Sequence, residues 1–245
     1  YGPPGTGKTY KTVDISAGII GGTKDGIDSI DNIIRVDKNQ KINSEEHFHK
    51  VNTHYFDEAI NEGLIHFVTF HQNYSYEEFV EGIKVKVNED KKYVTYEVEA
   101  GIFKEFCDYA KGSNKKYVLI IDEINRGNIS KVFGELITIL ENDKRGDKVT
   151  LAYSKKPFFV PKNVYVIGTM NTADQSIARI DIALRRRFAH EELMPDSSVL
   201  KNKDIDGINL TKLLDAINEK ILEDNMREKQ IGKGSCLVLK KIFPN

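Results

Sequence analysis

Gly2, Pro3, Pro4, Gly5, Thr6, Gly7, Lys8 and Thr9 follow one another with the spacing GxxxxGK[ST]. In a loop of this kind glycines let backbone N–H groups turn inward around phosphate oxygens. Lys8 places a cation at the terminal phosphates, and Thr9 offers a hydroxyl to Mg²⁺. The chemistry this spacing implies is binding of a nucleoside triphosphate with its metal. It reads phosphates and not the base, so GTP and ATP both fit.

Two further constellations fit the same reaction. Asp122 and Glu123 directly follow the apolar run YVLII, which puts both carboxylates at the carboxyl edge of a buried sheet, where open α/β folds bind ligands. Beside a phosphate loop, Asp122 suits Mg²⁺ held through water, and Glu123 suits the general base that takes a proton from the attacking water. Taken alone, an acidic pair after a strand is more often a solvated strand end. Asn171 follows a second run, VYVIG, and either orients the same water through its amide or simply occupies a turn. Arg185, Arg186 and Arg187 end the segment SIARIDIALRRRF. Three adjacent guanidinium groups cannot all project the same way from a helix end. The run is either a solvated face or a source of arginine fingers, positive charge delivered to a neighbouring subunit's nucleotide as phosphoryl transfer proceeds. His47, His49, His54, His66, His71 and His190 show no metal-ligand spacing and read as ordinary residues.

The elements that must position these groups are legible in the pattern. Residues 8–20 read as a helix ending at Gly21-Gly22, and residues 48–60 give a second helical face after a weak polar stretch. Residues 64–70 read as a strand, 84–87 and 93–98 as a hairpin around a polar turn, and 101–110 as an amphipathic helix. The apolar run 117–121 has the length and continuity of a strand buried on both faces of a parallel sheet. Ser130 is the expected cap of the helix that follows, with Val132, Phe133, Leu136, Ile139 and Leu140 on its core side. A hairpin over 148–160 precedes the strand 164–168, and 210–222 has helical period. Strands alternating with helices predict an α/β fold with a parallel sheet.

Composition sets the bounds. The 245 residues include 40% hydrophobic ones, enough for a sizeable core. Thirty-six Lys and Arg against thirty-seven Asp and Glu leave a net charge of -1, which excludes binding of nucleic acid by charge alone. Cys107 and Cys236 form no disulfide framework, zinc site or redox motif, and no apolar stretch or leader marks a membrane or secreted protein, so a cytoplasmic setting is expected. The chain starts at Tyr1, where a buried strand would ordinarily precede the phosphate loop, so a fragment lacking that first strand is expected.

GPPGTGKT, VTFHQNYSYEEFVEGI, YVLIIDEINRGNISKVFGELITILE, VIGTMNTADQSIARIDIALRRRF and INEKILED together resemble the McrB family, the AAA+ GTPase subunits of modified-cytosine-dependent restriction systems. The likeness covers most of residues 1–231. It implies an AAA+ P-loop NTPase with a parallel sheet flanked by helices: a core over 1–192 and a partial helical lid over 193–245. It further implies a hexameric ring, Mg²⁺ with GTP as substrate (ATP as alternative), and an McrC-like endonuclease partner. DNA would be reached through a domain absent from these residues. On the family's pattern, Gly2 to Thr9 are the Walker A residues, Asp122 and Glu123 the Walker B pair, and Asn171 the first sensor. Arg186 and Arg187 are the finger residues, and Asn125 and Arg126 belong to the signature turn. Gln175 replaces the Arg of MNTADRS, and the tail IGKGSCLVLKKIFPN departs from the family's IGHS, leaving the second-sensor region incomplete. The alternatives are an ATP-driven remodeller of the MoxR or dynein-related kind, whose load is a protein, and an inactive assembly module.

Overall fold

The run Tyr117–Asp122 forms β4, the middle strand of a three-stranded parallel sheet in the order β1-β4-β7, with β1 at Ile65–Thr69 and β7 at Val164–Gly168. The computed structural model describes residues 1–21, 44–88, 93–173, 187–200, 204–205, 207–224 and 226–232. Val118, Leu119, Ile120 and Ile121 are fully buried, as a strand covered on both faces requires. The register pairs Thr69 with Asp122 and Ile121 with Gly168, so the carboxyl ends of the three strands share one edge and Asp122 lies on it.

The chain divides into two compact units. The larger comprises Thr12–Gly168 and Arg179–Phe188, the smaller Tyr1–Lys11, Thr169–Ala178 and Ala189–Asn245. In the larger unit, Ala59 and Phe56 of helix α2 (Ser44–Asn61) and Ile19 and Ile20 of α1 (Lys8–Ile20) pack against Leu64, Ile65, Val118 and Ile120. Asp14 of α1 accepts a hydrogen bond from Asn52 at 2.7 Å and meets His49 at 3.1 Å, which fixes the two helices together. A second cluster is aromatic. Phe79 of the short helix α3 (Tyr76–Phe79) lies parallel to Phe103 of α4 (Ile102–Ala110) at 5.0 Å and edge-on to Phe133 at 4.8 Å. Each such side chain, fully buried, contributes about 1.5–3 kcal/mol.

The hairpin of β2 (Glu81–Asn88) and β3 (Tyr93–Ala100) is longer than its alternation predicts. Its apolar face is exposed rather than buried. Ile83 opposes Val98, Val85 opposes Tyr96 and Val87 opposes Val94, all six exposed, while Lys86 pairs with Glu97 at 2.8 Å and Glu99 at 3.1 Å. The hairpin is anchored at its base, where the buried carboxylate of Glu81 accepts the backbone N–H groups of Tyr153 and Ser154 at 3.1 and 2.8 Å. Those residues turn between β5 (Val149–Thr150) and β6 (Pro157–Phe158).

The helix after the acidic pair differs from expectation in its cap. Helix α5 is Ile129–Phe133, and Asn128, not Ser130, accepts the Lys131 N–H at 3.1 Å. Ser130 already lies inside the first turn. Gly134, at φ +51, ends the α-helix, and the chain continues as a 3-10 turn over Gly134–Leu140 that keeps Leu136, Ile139 and Leu140 buried. In the smaller unit β8 (Asp204–Ile205) and β9 (Ile208–Asn209) lead into α6 (Leu210–Glu223), capped by Asn209 and packed through Leu210 and Leu214 on Leu200. No helix among the described residues is long and apolar enough to cross a membrane.

Candidate nucleotide site

Within the smaller unit the phosphate loop is held from both sides. Gly2 N–H donates to Met170 O and Thr172 N–H to Gly2 O, both at 3.2 Å, a parallel bridge that sets Gly2 opposite Asn171. On the other flank Leu193 N–H donates to Tyr1 O at 2.7 Å. Tyr1 and Gly2 therefore run as extended chain into the loop, and the residues after β7 bring Asn171 beside its first glycine. Gly5 at φ +74 and Gly7 at φ +88 turn the backbone through conformations a side chain resists. Helix α1 begins at Lys8 directly behind them, so its positive dipole end faces the loop.

Lys8 does not stand out into solvent. Its Nζ donates to Gly2 O at 2.8 Å and Pro3 O at 2.7 Å, spanning the loop from inside, while Thr6 Oγ1 donates to Pro3 O at 3.0 Å. Thr9 is exposed one residue further along. Asn171 Oδ1 accepts from Ala173 N–H at 3.3 Å, so this residue also shapes its own turn.

The larger unit carries the acidic pair. Asp122 ends β4, and its carbonyl accepts from Phe70 N–H at 2.9 Å, continuing the ladder to the sheet edge. Glu123 sits at φ 52, ψ 42, a left-handed conformation costing a residue with a side chain about 1–2 kcal/mol. Strain of this kind collects at functional positions. Arg126 approaches Glu123 Oε2 through Nε at 3.3 Å, and Asn125 is buried. The hydroxyl of Thr9 and the carboxylate of Asp122 are hard oxygen donors of the type Mg²⁺ takes when phosphates supply the remaining ligands. Among the described residues no cluster of three His, Cys, Asp or Glu could hold a metal ion by itself.

Arg187 lies in the larger unit and pairs with Glu141 at 3.1 Å. Gln175, Arg185 and Arg186 lie outside the described residues. The motif reading also missed two features. Asn218 of α6 grips Ile231 from both sides, donating to its carbonyl at 2.9 Å and accepting its N–H at 2.8 Å. The next residue, Gly232, donates its N–H to Pro4 O at 2.8 Å and packs directly on Gly5 and Thr6. The glycine of IGKG is the sequence signal for that contact. Glu141 had no such signal.

A glycine-rich loop leading into a helix, with an acidic pair at a parallel strand end, defines the P-loop class of nucleotide-binding domain. A family model described as AAA domain (dynein-related subfamily) matches residues 52–188, more than half of the chain. The type IV methyl-directed restriction enzyme EcoKMcrB subunit of Escherichia coli K12 is 42% identical over 182 residues, 69% of this chain and 38% of that protein. The type II restriction enzyme BsuMI component YdiS of Bacillus subtilis 168 is 26% identical over 165 residues, 61% of this chain and 47% of that protein. The chain belongs to the AAA family, as an AAA+ P-loop NTPase of the McrB type. It spans less than half the length of either curated relative.

Proposed function

We propose that this chain is the motor module of an McrBC-like DNA restriction system, hydrolysing GTP in preference to ATP with Mg²⁺ inside a homo-oligomeric, hexameric ring. An McrC-like endonuclease is the partner that cuts, and DNA is chosen by a further domain of the complex. The observation that carries the reading is the phosphate loop itself, with Lys8 held across it and Asn171 bridged to Gly2. The 42% identity to an McrB subunit supports the restriction setting, and the preference for GTP rests on the resemblance of IDEINRGN and TMNTAD to the McrB family.

In the proposed reaction the loop N–H groups and Lys8 bind the β- and γ-phosphates, and Thr9 and Asp122 would hold Mg²⁺, which would supply neutralisation of phosphate charge. Glu123 accepts the proton of the attacking water, which Asn171 orients. Arg186 of the arginine run supplies charge from a neighbouring protomer. The dynein-related description of the matching family favours one second reading, an ATP-driven protein remodeller. Competition against a fluorescent GTP analogue on the full-length protein separates the two. GTP displacing the probe at concentrations well below ATP supports restriction. Equal displacement by ATP moves the assignment to the remodeller.

A further inference from the structure

We propose that Arg187 is a positioning residue, anchored in its own protomer by Glu141, and that this pair is what the third arginine contributes to hydrolysis. The proposal rests on the reading that the chain hydrolyses nucleotide and that the arginine run serves a neighbouring protomer.

Arg187 Nη2 lies 3.1 Å from Glu141 Oε1, with the two side chains only 14% and 28% exposed. Glu141 is the residue at which the 3-10 turn Gly134–Leu140 stops, and its other oxygen meets Lys144 Nζ at 3.2 Å. That turn is rigid for identifiable reasons. Ile139 and Leu140 are buried, and Arg145 ties the turn to the sheet by donating through Nε to Leu140 O and through Nη1 to Val164 O, both at 3.0 Å. The same stretch of chain begins at Asp122 and Glu123 and runs through α5. Glu141 is thus a fixed point of the larger unit, at the end of the stretch of chain that starts from the acidic pair, and Arg187 is fastened to it.

A guanidinium in this state is poorly suited to reach a neighbour's γ-phosphate. Its charge is largely offset by the carboxylate, and withdrawing it would leave Glu141 half-buried with one cation fewer. Anchoring fixes where the chain stands at residue 187, and so the point from which the run departs. Placement errors of about 1 Å in a catalytic group can cost about a hundredfold in rate, which gives such an anchor a kinetic consequence.

The test uses the full-length protein and four variants: Glu141→Gln, Glu141→Arg, Arg187→Glu and the charge-exchanged Glu141→Arg/Arg187→Glu. Nucleotide Kd, kcat at saturating nucleotide and Tm are measured for each. The single charge reversals are expected to lower kcat about tenfold or more with Kd within about twofold, and the exchanged pair to recover kcat to within about threefold of wild type. A merely stabilising pair would restore Tm on exchange without moving kcat in either single variant. If the exchanged pair regains its Tm but stays as slow as Arg187→Glu, the charge at residue 187 itself acts on the nucleotide and the proposal is overturned. Should the reversals fail to fold, a folded Glu141→Gln with unchanged kcat overturns it equally. Failure of the functional reading is a different result: wild-type phosphate release no faster than that of Lys8→Ala.

Discussion

Replacing Gly232 by Ala puts its contact with the phosphate loop under direct strain. A methyl carbon at that position falls inside the van der Waals envelopes of Gly5 C and O and Thr6 N, all backbone atoms that cannot rotate aside. Ordinary carbon contacts need about 3.5 Å, so the segment carrying residue 232 must retreat by about 1 Å or more. The Gly232 N–H to Pro4 O bond, 2.8 Å long, does not survive that movement. Losing one such bond costs about 1 kcal/mol, and forcing a methyl into a packed site costs about 1–3 kcal/mol. If the nucleotide-ready loop depends on this contact, the sum of about 2–4 kcal/mol appears as affinity. At about 1.4 kcal/mol per tenfold, binding weakens by about 30-fold or more. The assay is titration of a fluorescent GTP analogue into full-length wild type and Gly232→Ala, with amide hydrogen exchange at residue 232 as a local readout. Wild-type affinity in the variant, with residue 232 still protected, would refute the idea that the contact supports the loop.

Three further outcomes are expected. Lys8→Ala removes both the phosphate-facing cation and the two bonds to Gly2 O and Pro3 O, so nucleotide affinity should fall about a hundredfold or more by the same titration. Gly18→Ala, at a helical position where the added carbon meets nothing within 4 Å beyond its chain neighbours and its own helix backbone, should stabilise the fold by about 0.5–1 kcal/mol and raise Tm without changing nucleotide affinity. Burial first, and the neighbouring Glu78 second, push the Tyr74 phenol from 10.0 up to about 12. The fold therefore favours its neutral form, so this stabilisation is complete below pH 10 and is lost as pH rises towards 12. Alkaline denaturation monitored by circular dichroism should accordingly show Tyr74→Phe losing less stability than wild type over that window.

What the sequence disclosed follows from which physics is local. YVLII declares a doubly covered strand because no other element of that length tolerates five apolar residues in a row, and Asp122 inherits its place at the sheet edge from that strand. The phosphate loop is equally legible, since the turns at Gly5 and Gly7 need residues without side chains. The cap of α5 was misplaced because Asn128 and Ser130 are both good caps two residues apart, and the choice between them is made by where the 3-10 turn of Ile124–Arg126 releases the chain. Alternation in β2 and β3 specifies two faces but not which is covered, and there the apolar face remains exposed. The Arg187–Glu141 and Asn218–Ile231 contacts were invisible for another reason. They join residues separated by 46 and 13 positions through the fold, and no spacing rule encodes such pairs.

The central claim, that Glu123 is the base of a nucleotide-hydrolysing site built around the phosphate loop, is tested most directly by single-turnover phosphate release from bound GTP in wild-type and Glu123→Gln protein. The amide keeps the shape of the side chain but cannot take the proton of the attacking water. The account predicts that the variant retains Mg²⁺-dependent nucleotide binding while its chemical step slows by about two orders of magnitude or more. Release at the wild-type rate from a variant that binds nucleotide normally would contradict it.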